Sequence, residues 1–219
     1  MIETYADTAG FAEAAAAAVA DGLREALATR GRASLVATGG RSPGTVYDRL
    51  KDADLDWARV NVTLSDERCV DPGAPEANAR LVRERLLTGP AAKAHLIPLW
   101  PAPDPAVLGA LTPFDAVMLG MGEDGHVASL IPGDPGLAAR LDPAGQALLA
   151  DVPAGVGIPP VARITLTLAA LLASRAIFLL IDGGAKRQVI DRALAGADLP
   201  VAALLSQGAA PVRVLWTPN

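Results

Sequence analysis

Residues 120–126 read GMGEDGH and directly follow the apolar run FDAVML. Glycines 120, 122 and 125 satisfy G-x-G-x-x-G, the spacing that lets a dinucleotide's pyrophosphate approach a helix N-terminus. That chemistry also needs a long helix after the turn and an acid at a later strand end. Here only HVASLI can form a helix before Pro132-Gly133, and neither Asp142 nor Asp151 has a convincing strand end to sit on. No dinucleotide cofactor is expected. What remains is Asp124-Gly125-His126. Histidine suits proton transfer near neutrality, and Asp124 can hold its ring in one tautomer and stabilise the charged form. The plainer alternative is a histidine satisfying a turn carbonyl. The flanking glycines favour a backbone approached by a ligand, and so favour catalysis.

Three other segments carry polar residues just after apolar runs. ASLVAT is followed by GGRSP, in which Ser42-Pro43 fits an N-cap with proline at the first helical position. Free N–H groups of Gly39 and Gly40 at such a helix start make an anion site, to which Arg41 adds charge; a plain capped turn is equally compatible. The Walker A ending is absent. VNVTLS is followed by Asp66-Glu67-Arg68, either a solvated loop or a place where arginine clamps a carboxylate or phosphate. AIFLLID is followed by GGAKR, so Lys186 lies at a helix start, either solvated or reaching an anion held at other strand ends.

These segments must be positioned by the elements before them. Apolar spacing predicts a long alanine-rich helix over 8–29 and further helices near 44–51, 76–87, 167–174 and 185–196. Strands are expected at 33–38, 60–65, 95–100, 115–121, 146–151, 176–182 and 212–216. Short apolar strands alternating with helices indicate an α/β fold: one domain over 1–219, with a mostly parallel twisted sheet and helices on both faces. In that architecture ligands gather at the carboxyl ends of strands, where all four polar segments fall.

Composition narrows the partners. The net charge of −5 and the lack of a Lys/Arg-rich run make nucleic acid a poor partner. One cysteine, Cys69, and two histidines, His95 and His126, leave no cluster for a disulfide or a zinc site, so no metal is expected. The alanine run 14–18 is too short and too closely flanked by charge to span a membrane, and MIETYAD carries acid where a signal peptide carries base. A cytoplasmic protein is expected.

Together these segments resemble the 6-phosphogluconolactonase family of the glucosamine-6-phosphate isomerase superfamily, in order along almost the whole chain. TGGRSP is similar to its Gly-Gly-Ser/Thr-Pro phosphate loop, and SDERCV followed by Asn78 to its Asp-Glu-Arg segment with a downstream asparagine. GMGEDGHVASLIPG is similar to Gly-x-Gly-x-Asp-Gly-His-x-Ala-Ser, and RITLTL with GGAKR resembles the C-terminal signature. Arg41 departs from a common small hydroxyl residue, and Ala77 from a frequent serine.

The resemblance implies hydrolysis of 6-phospho-D-glucono-1,5-lactone to 6-phospho-D-gluconate in the oxidative pentose phosphate pathway. It implies a phosphate resting on Gly39, Gly40, Arg41 and Ser42, closed by Lys186 and assisted by Arg163. Asp66, Asn78 and Gly122 are implied as further substrate contacts. His126 would activate water, Asp124 would orient His126, and Arg68 or a glycine N–H would stabilise the oxyanion. A lactone is already activated, so the reaction demands neither metal, cofactor nor covalent nucleophile. The expected partner is the small sugar-phosphate lactone alone, with no nucleic acid or membrane, acting on a monomer or weak dimer. One rival is glucosamine-6-phosphate deaminase, whose family typically has an aromatic residue after Asp-Glu and Asn-Glu-Pro after the histidine motif; here Arg68 and Leu130-Ile131-Pro132 stand there. The other is a non-enzymatic sugar-phosphate sensor, for which an output module is missing from these 219 residues.

Overall fold

The computed structural model describes residues 2–218. Its strands are β1 (Ile2–Thr4), β2 (Ala33–Ala37), β3 (Val60–Leu64), β4 (Asp66–Arg68), β5 (His95–Leu96), β6 (Ala116–Leu119), β7 (Leu149–Val152), β8 (Arg163–Leu166), β9 (Ile177–Asp182) and β10 (Val212–Thr217). Its α-helices are α1 (Thr8–Arg30), α2 (Arg41–Leu50), α3 (Asn78–Arg85), α4 (Pro105–Gly109), α5 (Leu137–Arg140), α6 (Leu168–Leu172), α7 (Gly183–Leu194) and α8 (Pro200–Ser206).

Seven strands form a sheet in the order β1-β10-β9-β6-β2-β3-β5, and every pairing in it is parallel. Alternate residues of its central strands feed opposite cores. Leu35, Met118, Phe178 and Leu180 pack with α1, α2 and α3 on one face. Val36, Val117, Leu119, Leu179 and Ile181 pack with α6, α7 and α8 on the other. Burial on both faces is why these strands read as continuous apolar runs. The α1 helix lays Ala12, Ala15, Ala16, Ala20 and Ala26 against the sheet, small side chains that let a long helix approach closely. Asp7 accepts the Gly10 N–H at 2.8 Å to start it, and Gly31, at φ 70°, ends it.

A second, three-stranded antiparallel sheet, β4-β8-β7, joins the end of β3. Sequence periodicity misplaced its members. The expected strand at 146–151 is Leu149–Val152 and pairs with Arg163–Leu166. The connection between them, rich in Pro and Gly, turns the chain back and supplies no crossover helix, which parallel pairing would need. Charged Asp66–Arg68, expected as either a solvated loop or a strand-end arginine clamp, is itself a strand with Asp66 and Glu67 buried.

Other boundaries moved for local reasons. The strand expected over 95–100 stops at Leu96; Ile97 still donates its N–H to Val62 O at 2.8 Å, and Pro98 has none to give. HVASLI forms no helix, because Val127 bridges both Met121 and Leu130 and Ala128 takes a left-handed φ of 49°. Helix α2 begins at Arg41, so Ser42 is not its N-cap; Gly40 is, without a side-chain cap bond. Among the described residues, no helix is long and apolar enough to cross a membrane, and no group of three or more His, Cys, Asp or Glu is placed to hold a metal ion.

One buried contact fixes where β2 ends and α2 begins. The Tyr47 hydroxyl donates to Thr38 O at 2.6 Å and accepts from Thr38 N at 2.8 Å, and burial pushes the phenol's pKa up, keeping it protonated. Tyr47→Phe is expected to lower stability by about 1–3 kcal/mol, the cost of stranding buried backbone groups. The check is the urea midpoint, which should fall with the slope unchanged.

Candidate active site

The main cleft opens at the carboxyl ends of β2, β3, β6 and β9. It is lined by every residue expected from sequence to bind or react, except Asp124, which stands behind His126. Gly39, Gly40, Arg41 and Ser42 form one wall, where β2 turns into α2. Gly39 must be glycine because a Cβ there would lie 2.0 Å from the Asn78 Oδ1. That close approach brings α3 against the loop. The first-turn N–H groups of α2 have no intrahelical partner and carry the positive end of the helix dipole, the local chemistry of an anion site.

Lys186, in the first turn of α7, projects into the same cleft. Its ammonium lies 2.6 Å from Asp182 Oδ1. Burial raises the Asp182 carboxyl; the Lys186 bond and charge, with Ser42 and Arg41, outweigh it and leave the group below the usual carboxylate value.

The opposite wall is the turn after β6. His126 Nδ1 lies 2.6 Å from Asp124 Oδ1, and the same oxygen accepts the His126 backbone N–H at 3.2 Å. Burial raises the Asp124 carboxyl, but its hydrogen bonds to His126 and the imidazole's charge bring it below the ordinary value. An ionised Asp124 assigns the ring proton to Nδ1, which leaves Nε2 as the nitrogen able to accept a proton. Gly122 closes this turn, donating its N–H to His126 O at 3.0 Å. A Cβ at Gly122 would lie 2.3 Å from the imidazole, so only glycine lets the ring fold back over the chain.

The floor comes from the second sheet. Asp66 is buried, with Oδ1 accepting from Ser65 Oγ at 2.8 Å and Oδ2 from Ser129 Oγ at 2.6 Å. Glu67 faces away from the cleft and accepts the N–H groups of Asn78 and Ala79, each at 2.7 Å, capping α3. Asn78 in turn donates Nδ2 to Asp66 O at 2.9 Å. Of the two adjacent acids, then, Asp66 lines the cleft and Glu67 shapes the loop. Arg68 and Arg163 are register partners across β4 and β8 and both reach the cleft. The Nε of each is buried without a partner among the described residues. Burial, then the neighbouring charge of Arg68, push the Arg163 pKa down, with Asp66 opposing. Two guanidiniums side by side, each with an unpaired donor, form a strongly anion-seeking surface.

Ser129, Ala128 and Asp182 were not singled out from sequence. Ser129 lay in view inside GMGEDGHVASLIPG, but its partner Asp66 is 63 residues away in sequence. Asp182 closed the run AIFLLID and looked like an ordinary strand terminus.

A family model described as glucosamine-6-phosphate isomerases/6-phosphogluconolactonase matches residues 6–216. The chain is 41% identical to a 6-phosphogluconolactonase of Caulobacter vibrioides, covering 98% of this chain and 96% of the relative. It is 40% identical to one of Pseudomonas aeruginosa, covering 99% and 94%. Among solved structures, a 6-phosphogluconolactonase from Shewanella baltica superposes with a TM-score of 0.90 at 34% identity, covering 99% and 97%. A monomeric glucosamine-6-phosphate deaminase has the same fold, with a TM-score of 0.76 at 19% identity over 98% and 96% of the two chains.

The depressed Asp124 carboxyl has a consequence with a definite sign. A group whose pKa falls on folding contributes stability above its unfolded pKa of about 3.9, and loses it as pH falls through the folded value. Native protein is therefore expected to exceed Asp124→Asn in melting temperature by a constant margin near neutrality, with the margin closing below about pH 4. A carbon-13 titration should show the Asp124 carboxylate ionising below the free amino acid's value.

Proposed function

The chain belongs to the glucosamine-6-phosphate isomerase/6-phosphogluconolactonase family, and we propose that it hydrolyses 6-phospho-D-glucono-1,5-lactone to 6-phospho-D-gluconate in the oxidative pentose phosphate pathway. The observation that carries this reading is the Asp124–His126 pair, closed at 2.6 Å, facing the Gly39–Ser42 loop and Lys186 across one cleft.

The phosphate rests on the α2 N-terminus, on Gly39, Gly40, Arg41 and Ser42, with Lys186 opposite. Holding this remote group places the lactone carbonyl beside His126 and converts an encounter into a positioned reaction. His126 Nε2 takes a proton from water as the water oxygen bonds to the carbonyl carbon. Asp124 stabilises the imidazolium so formed. The proton then passes to the ring oxygen as the C–O bond breaks and the acid is released. Negative charge gathering on the carbonyl oxygen is met by Arg68, with Arg163 beside it, or by a glycine N–H of the turn. Asp66, Asn78 and Gly122 complete the contacts with the sugar. We propose in addition that it acts as a monomer or weak dimer in the cytoplasm.

The shared fold does not separate lactone hydrolysis from deamination. The residues do: Arg68 follows Asp-Glu, and Leu130-Ile131-Pro132 follows the histidine motif.

His126→Ala is expected to lower kcat by 10²- to 10⁴-fold once spontaneous hydrolysis is subtracted, roughly the contribution of one positioned general base. KM should change little. Activity equal to the native enzyme's would remove His126 from the mechanism. Incubation with glucosamine 6-phosphate should release no ammonia above background, and robust release would reassign the chain to the deaminase reaction.

A further inference from the structure

The Proposed function uses Lys186 as a phosphate ligand, yet its ammonium is already engaged by a side chain that the reaction has no need of. Asp182, the last residue of β9, holds the Lys186 ammonium at 2.6 Å. It lies in a smaller recess behind the main cleft, bordered by Arg41, Ser42 and Thr45.

Charge makes this arrangement a competition. Lys186 has three protons and can serve both anions, but only by bringing them together. A phosphate oxygen bonded to Lys186 would stand at most about 5.5 Å from the Asp182 oxygen, the 2.6 Å contact plus a second hydrogen bond. Two anions at that separation repel more strongly than the ordering of one lysine stem gains.

We propose that Asp182 is an affinity-setting residue, an internal anion that holds the phosphate ligand Lys186 and opposes the phosphate that approaches it. The value to catalysis lies in turnover. The phosphate is common to substrate and product, so a tighter grip on it binds both alike and slows departure of the acid without lowering the chemical barrier. Ring opening adds a carboxylate to the product, which the cationic cleft holds more firmly than the neutral lactone carbonyl. A weakened phosphate grip offsets this. The inference rests on the phosphate site of the Proposed function, and its test separates the two.

Asp182→Asn keeps the side chain's shape while removing the charge, and the Asp182 side chain makes no cap bond to α7 that the change could break. Inorganic phosphate, used as a competitive inhibitor, is expected to bind this variant at least fivefold more tightly than the native protein. KM for the phosphorylated lactone should fall in parallel. Toward 1,5-gluconolactone, which lacks the phosphate, kcat/KM should move less than twofold. Asp182→Ser is a second route to the same result if the first variant melts early. Lys186→Ala serves as the reference, expected to weaken phosphate inhibition at least fivefold. If Lys186→Ala weakens inhibition but neither Asp182 variant tightens it, Asp182 is not a competitor and the phosphate site stands. If Lys186→Ala leaves inhibition unchanged, the phosphate site falls and the competition with it.

Discussion

A single buried carboxylate holds the working parts of this protein together. Asp66 sits where the parallel sheet hands over to the small antiparallel one, and its two oxygens are taken by Ser65 on one side and Ser129 on the other. Ser129 follows the His126 turn by three residues and also donates its N–H to Thr165 Oγ1 at 3.1 Å. Asn78, reaching back to the Asp66 carbonyl and lying against Gly39, brings α3 and the Gly39–Ser42 loop to the same point. Three segments distant in sequence thus meet on one residue. Because the carboxylate is buried, losing either hydroxyl leaves a charge without a full set of donors, an expensive state that keeps the junction closed.

Against that satisfied centre stand groups the fold leaves unsatisfied. Arg68 and Arg163 face each other across a strand pair, an arrangement that costs stability, and each keeps a buried Nε with no partner among the described residues. Ala128 adopts a left-handed backbone at φ 49° beside the same cleft. Packing does not reward any of these features. They make physical sense if the cleft is completed by an anionic ligand, which would pair the guanidiniums and screen them from one another. Of the four buried side-chain atoms without a partner among the described residues, Arg68 Nε and Arg163 Nε lie at the site, and Arg140 Nε and Ser174 Oγ lie elsewhere.

Much of this was legible in the sequence because the fold obeys a simple rule: in a parallel sheet the chemistry collects at one edge, just after each apolar run. ASLVA, VNVTL, AVML and IFLLID announced themselves by composition, and the polar letters after them proved to share a cleft. The failures were equally physical. Asp66–Arg68 is a strand whose acids are buried by hydroxyl and backbone partners far away in sequence, so no local pattern marks it. Ser42 carried the signature of an N-cap, but Gly40, at φ 111°, caps the helix that begins at Arg41. Asp182 was invisible because it closes an apolar run as strand termini commonly do, and its meaning depends on the turn of helix that brings Lys186 back to it.

The pairing of β1 with β10 bears on how the molecule comes into being. Ile2, Glu3 and Thr4 lie in register with Val214, Leu215 and Trp216, and Arg213 clasps Glu3 with Nε and Nη2 at 2.7 and 2.8 Å. A ribosome delivers β1 long before β10. The earlier strand therefore emerges without a neighbour and waits until the later one arrives. Helix α1 can nucleate early, since its contacts with α2 and β2 are close in sequence. The border strand cannot. Closure of the sheet is thus a late event in biosynthesis, because β1 has no strand to pair with until β10 has been made.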